Sequence, residues 1–344
     1  MAYTTINKSA DYFNTKLYTA NGTTNHQITG VGFNPDFVWI KNRTTADGHV
    51  LFDEVRGANK RLVSSSSGAE STQTQDLLSF DSDGFTVGSN DNVNRGPSDN
   101  FASWNWKANG TGSANTDGTI SSTVSVNTTS GFSIVKYTGN NTDNATIGHG
   151  LGAVPKVIFF KRLDTGNWVV YHHAIGTDKY LILNLTDAEA TATGLCNPNS
   201  TNIVIPTAYG GQNPSSTDMI AYCFAEKTGY SKFGSYVGNG STDGTFVYTG
   251  FKPAFILVKQ TNNTASWTII DNKRDSFNVT DKRLFPEDAN EEVVSANGNT
   301  DFLSNGVKMR IGHQNINASG STYIYMAFAE APLVGTNNIP CTAR

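Results

Sequence analysis

His172 and His173 are the only adjacent histidines in the chain, and imidazole is the commonest metal ligand among side chains. They close a segment, Trp168-Val169-Val170-Tyr171-His172, that reads as a strand. Neighbours on a strand point to opposite faces, so the pair reads as two local structural side chains rather than two ligands of one ion. Acid–base cleavage of a glycosidic bond needs two carboxyl groups facing each other. Asp53, Glu54, Asp271 and Glu292 are the acids to consider, and nothing in their spacing pairs them. Asp81-Ser82-Asp83-Gly84 has the opening of a calcium loop, but the further oxygen ligands and closing Glu are missing, so it reads as a turn. The chain has no Gly-x-Gly-x-x-Gly, Walker loop or His-Glu-x-x-His, and no Gly-x-Ser-x-Gly. Cys196, Cys223 and Cys341 form neither a disulfide framework nor a zinc pattern and are expected to be reduced and inert. The sequence thus predicts no enzyme, no cofactor and no metal. Trp168 and Trp267 each start a strand beside a loop and are the candidate ligand contacts, because an indole face can stack on a sugar ring. Trp104 and Trp106 are assigned to the core.

The elements that would position these residues are short strands. Of 344 residues, 37% are hydrophobic, and the 33 glycines bring the apolar share near the globular norm of about 45–50%. Charged residues make up only 16%. Asn, Thr, Ser and Gly replace them, as suits many tight turns. Net charge is -4 and the longest basic cluster is Lys60-Arg61, so nucleic-acid binding has no electrostatic footing. No apolar run reaches the ~18 residues of a spanning helix. Met1 leads directly into polar sequence, so no signal peptide is expected.

An internal repeat decides the architecture. Three strands begin with Pro, one further residue, four apolar residues and Lys: Pro35 to Lys41, Pro155 to Lys161 and Pro253 to Lys259. Both faces of each are apolar up to the Lys, which predicts the middle layer of a sandwich. Each copy closes on another strand: Phe101–Trp106, Met219–Phe224 and Tyr323–Phe328. Trp104 with Trp106, Tyr222 with Phe224, and Met326 with Phe328 form its core face; Asn105, Cys223 and Ala327 lie opposite. The expected fold is all-β, three tandem diverged β-sandwich, jelly-roll-like units. Unit 1 spans 1–108, a Gly/Ser/Thr/Asn-rich linker 109–130 with an edge strand at Ile120–Val126, unit 2 131–229, unit 3 230–331, and an extended arm 332–344. A turn or two of helix is expected at Thr186–Thr191.

Met1-Ala2-Tyr3-Thr4-Thr5-Ile6, Asp36-Phe37-Val38-Trp39-Ile40-Lys41-Asn42-Arg43, Gly150-Leu151-Gly152-Ala153-Val154-Pro155-Lys156, Gly238-Asn239-Gly240-Ser241-Thr242-Asp243-Gly244 and Tyr325-Met326-Ala327-Phe328-Ala329-Glu330-Ala331-Pro332 resemble a module repeated in structural proteins of tailed, especially marine, bacteriophages. The resemblance covers most of the chain and brings no catalytic residues. It implies a virion protein assembled in the host cytoplasm, a tail-fibre or adhesin-like component contacting other virion proteins and a host surface glycan or protein, with no nucleic-acid or membrane partner. A homotrimer is expected. A capsid decoration (cement) protein and a polysaccharide depolymerase are the competing readings.

Overall fold

The computed structural model describes residues 3–206 and 211–334. The chain is almost entirely antiparallel β-structure. Among the described residues each unit contributes nine strands in one order, and two more, Ser113–Asn115 and Ser122–Asn127, lie between the first unit and the second.

In every unit the Pro-led strand lies between the closing strand and the strand that follows it. Phe37–Asn42 pairs with Asn100–Trp106 and with Val50–Asp53. Val157–Arg162 does the same with Asp218–Phe224 and Val169–His172. Phe251–Gln260 does so with Thr322–Pro332 and Thr268–Asp271. Pro253 sits where the register shifts, a place where a missing N–H costs the ladder little. A second, three-stranded sheet covers each main sheet: His26–Thr29, Leu77–Asp81 and Gly84–Val87 in unit 1, with counterparts in units 2 and 3. The weak Asn202–Ile205 segment of unit 2 takes its place there, paired with Ala145–Gly148.

Period-2 alternation explains why the central strands are apolar on both faces. Val38 and Ile40 pack outward against unit 1's small sheet, as do Ile158 and Phe160 in unit 2, and Ile256 and Val258 in unit 3. The alternate residues turn inward. Phe37, Trp39, Trp104 and Trp106 share one cluster with Val157, Phe159, Tyr222, Phe224, Phe255, Leu257, Met326 and Phe328. The three sandwiches therefore have private outer cores and one common inner core.

The lysine one residue before the end of each Pro-led strand faces the same way as these inner residues, yet Lys41, Lys161 and Lys259 are buried. Each ammonium donates to the carbonyl of the following residue and to a second carbonyl, of Thr45, Asp164 and Thr186 respectively. Burial lowers each to about 8.

Three expectations are corrected. Residues 109–130, expected as a linker with one edge strand at Ile120–Val126, hold two strands that extend the main sheet of unit 2, Ser113–Asn115 pairing with Ser122–Asn127 and Ser122–Asn127 with Phe132–Thr138. Pro332 ends a strand rather than beginning an arm; 335–344, with Cys341, lie outside the described residues. Thr186–Glu189 is not helical, because its backbone groups go to unit 3: Glu189 N–H donates to Thr261 and Thr186 C=O accepts from Ala265.

A polar clasp recurs at one end of each sandwich. Asn94 accepts from the Asn21 and Gly22 amides and donates to Asn21 Oδ1, Thr23 O and Gly88 O. Asn213 with Asn140, and Asn317 with Asn239, repeat it. The residue before each takes a buried tyrosine hydroxyl on its carbonyl: Tyr18 on Val93, Tyr137 on Gln212, Tyr236 on Ile316. Asn94→Ala is expected to destabilise the protein by about 2–3 kcal/mol, since it removes all five of these hydrogen bonds of a buried side chain at once and strands the buried Gly88 carbonyl; urea unfolding of the variant measures this.

Candidate functional site

Asp53, Asp271, Glu292, His172 and His173 lie in the seams between units. At the first seam Asp53 is held by Arg56, which also contacts Glu70 at 3.1 Å. The Tyr222 hydroxyl of unit 2 donates to the same carboxylate at 2.7 Å. At the seam between units 3 and 1, Asp271 is held by Arg274, which contacts Glu292 at 3.1 Å. Here the indole N–H of Trp104, the counterpart of Tyr222, donates to Asp271 at 3.1 Å. Glu292 also binds Arg43 of unit 1 at 2.8 Å. Burial raises Asp271, and Arg274 and Trp104 more than offset that, leaving it below its ordinary value. Asp53, Asp271 and Glu292 are thus tied to arginines at two separate seams and frame no common cleft. Glu54 is half-buried and raised by burial, then by Asp36 and Asp53.

The seam between units 2 and 3 differs. His172 stands in the place of Asp53 and Asp271, and Met326, which has no donor, in the place of Tyr222 and Trp104. His172 Nε2 bonds the Tyr325 carbonyl at 3.2 Å, and its Nδ1 accepts from the Ala174 amide. His173 bonds the Phe233 carbonyl at 3.0 Å. The two rings do not diverge to opposite faces as a regular strand would place them. The chain leaves the strand at His172 into a 3-10 turn, His173–Ile175, and the rings stack with centroids 5.2 Å apart. No group of three or more metal-capable side chains occurs among the described residues. Asp81–Gly84 forms the turn expected, and Asp83 accepts from the Gly30 and Gly32 amides.

Trp168 and Trp267 are also seam residues, which corrects their reading as ligand contacts. Both are buried. Trp168 donates to Val63 O of unit 1 at 2.9 Å, and Trp267 to Ile182 O of unit 2 at 3.0 Å. His49 is their counterpart in unit 1: it accepts from Trp39 and meets the Phe285 backbone of unit 3. An indole at a strand start satisfies its N–H when buried, and a neighbouring unit is the partner that sequence alone does not reveal. Cys196 and Cys223 are buried and free, and burial raises the Cys223 thiol to about 12.

What is left facing solvent differs between units. On the outer sheet of unit 3, Phe246–Tyr248 pairs with Gly306–Met309. Val247 fills the core, while Phe246 and Tyr248 are 41% and 54% exposed. By register, the same two outward positions hold Gln27 and Thr29 in unit 1, and Thr146 and Gly148 in unit 2. Two rings on one open face are therefore particular to unit 3. Gly306 makes room for the first of them: a Cβ there would lie 2.9 Å from the Phe246 ring and 2.2 Å from the Val247 carbonyl oxygen. Tyr3 adds a third ring, donating to Gly250 O at 2.6 Å and lying against the Tyr248 hydroxyl. Lys308, opposite Phe246, is bound to Asp243 at 2.8 Å. Exposed rings beside a carboxylate and an ammonium can stack on an apolar face and hydrogen-bond around it. The signal for this platform was the Phe-Val-Tyr alternation itself, which sequence reasoning passed over in favour of tryptophan. A cleft of about 390 Å³ opens separately between units 2 and 3, with Ile175, Lys179, Glu189, Ser235 and Thr322 on its walls.

Residues 8–332 match the model of a family described as a domain of unknown function, DUF7483. None of the curated proteins and none of the solved structures compared with the chain matches it.

Proposed function

The chain belongs to the DUF7483 family, and we propose that it is a bacteriophage virion surface protein, a tail-fibre or adhesin-like component that binds a host surface glycan through the Phe246–Tyr248 platform. The observation that carries this reading is the pair of solvent-facing rings at positions where units 1 and 2 carry Gln27, Thr29, Thr146 and Gly148. Exposed rings on one face contribute nothing to the sandwich core and are the kind of patch that marks an interaction surface. The C–H face of a pyranose suits a phenyl or phenol ring, and Asp243 and Lys308 offer acceptor and donor beside it. The scaffold supports the reading too: three sandwiches locked by buried seams hold such a face without reorganisation, which lowers the cost of binding.

The test is retention of the purified protein on host cells and on arrayed surface polysaccharides, for the native chain and for Phe246→Ala/Tyr248→Ala. The double variant is expected to bind at least about tenfold more weakly, a loss of about 1.4 kcal/mol, with an unchanged melting temperature. Equal binding by both proteins removes the platform from the proposal. Shortening of the polysaccharide during incubation would replace binding by depolymerisation as its function.

A further inference from the structure

We propose that the seam between units 2 and 3 is an acid-sensitive joint, opened by protonation of His172 while the other two seams stay closed. The inference goes beyond the reading of the platform and does not depend on it.

The three seams are built on one plan, so each serves as a control for the others. At two of them an aspartate paired with arginine accepts a donor from the neighbouring closing strand. At the third, Met326 supplies no donor and Ile175 stands where Arg56 and Arg274 stand. In the place of the aspartate–arginine pair stands His172, a neutral ring with its proton on Nε2: Nε2–H donates to Tyr325 O, and Nδ1 must carry a lone pair to accept from Ala174 N–H. A second proton can go only on Nδ1, where it meets that amide hydrogen head-on. The new charge would have no carboxylate in contact. Its stacked neighbour is His173, whose surroundings carry Lys156, Lys232 and Glu226, the first two repelling a cation and the last attracting it. The space beside His172 is a void of about 10 Å³ lined by Val157, Val170, Leu257 and Met326 among others, at the lower limit for one water molecule. The ring can be charged and solvated only by leaving the seam.

The sign follows from linkage. Burial, then His173, lowers His172 to about 3 in the folded chain, against about 6.5 when unfolded. The folded state then binds fewer protons than the open one below pH 6.5, so the stabilisation is complete above that pH and is lost as pH falls towards 3.

The experiment compares the native chain with His172→Gln, whose amide can donate to Tyr325 and accept from Ala174 without titrating. Urea unfolding is followed from pH 7.5 to 5.0. Each pH unit below 6.5 is expected to raise the unfolding equilibrium constant of the native chain by up to about tenfold more than that of the variant. Hydrogen exchange on the native chain, corrected for intrinsic rates, locates the effect. Protection of 231–237 and 322–328 should fall at pH 5 before that of 37–42 and 100–106. Parallel pH profiles for the two proteins, or loss of protection uniform across all three units, would overturn the proposal. If the variant does not fold, the exchange pattern of the native chain decides alone.

Discussion

Arg274→Met is expected to cost about 3–5 kcal/mol of stability, the range for breaking a buried ion pair by removing one partner. Arg274 is buried and binds both Asp271 and Glu292, so its loss leaves two carboxylates facing each other across the seam between units 3 and 1. Glu292 keeps Arg43 and can stay charged. Asp271 retains the Trp104 indole and the backbone amides of its turn and is the group left without a cation. Adding Asp271→Asn to Arg274→Met should recover part of the loss, since a neutral amide can still accept from Trp104. The pair thus shows the coupling expected of residues in one network. Urea denaturation of the four proteins in the cycle measures both numbers. A cost below about 1 kcal/mol for Arg274→Met, the level of an exposed pair, would mean that the seam does not depend on this station.

Trp106→Ala is expected to be equally damaging, by about 3–5 kcal/mol, and to lower the stability of all three units together. The Trp106 ring meets Phe13 and Phe37 of its own unit, Phe224 of unit 2, and Phe255 and Phe328 of unit 3. Truncating it opens a cavity where the three inner faces converge. Its indole N–H has no hydrogen-bond partner, so Trp106→Phe loses contact area without stranding a polar group and should cost well under half as much. Calorimetry should show one transition for the native chain and one, at lower temperature, for Trp106→Ala. A variant that splits into an early unit 1 transition and a later one would show that the inner core is not shared in energetic terms.

The strands and their faces could be read from the residues because a strand's period is 2 and the repeat shows it three times over. Trp104 with Trp106, Tyr222 with Phe224, and Met326 with Phe328 were assigned to a core face, and all six lie in the inner cluster. What could not be read was which core. Two apolar faces imply two layers of cover, but the pattern is the same whether the second layer is a unit's own sheet or its neighbours. That ambiguity misdirected Trp168 and Trp267, whose partners Val63 and Ile182 lie 105 and 85 residues away. The stations had a sharper signal, since Asp53-Glu54-Val55-Arg56 and Asp271-Asn272-Lys273-Arg274 share Asp-x-x-Arg where unit 2 has His172-His173-Ala174-Ile175. The substitution of His for Asp was visible in the residues. Its reason, a methionine where the neighbour should donate, required the packing of one unit on the next.

Because one chain closes the ring that three identical chains would otherwise build, every seam and every outer face is encoded separately. A change at a position in a symmetric trimer appears three times and must be tolerated three times. Here Met326 and His172 occupy a single joint, and Phe246 and Tyr248 a single face, without their counterparts in the other units having to match them. On the proposed reading each chain carries one such platform, so any gain from several simultaneous contacts would come from how many chains are displayed side by side.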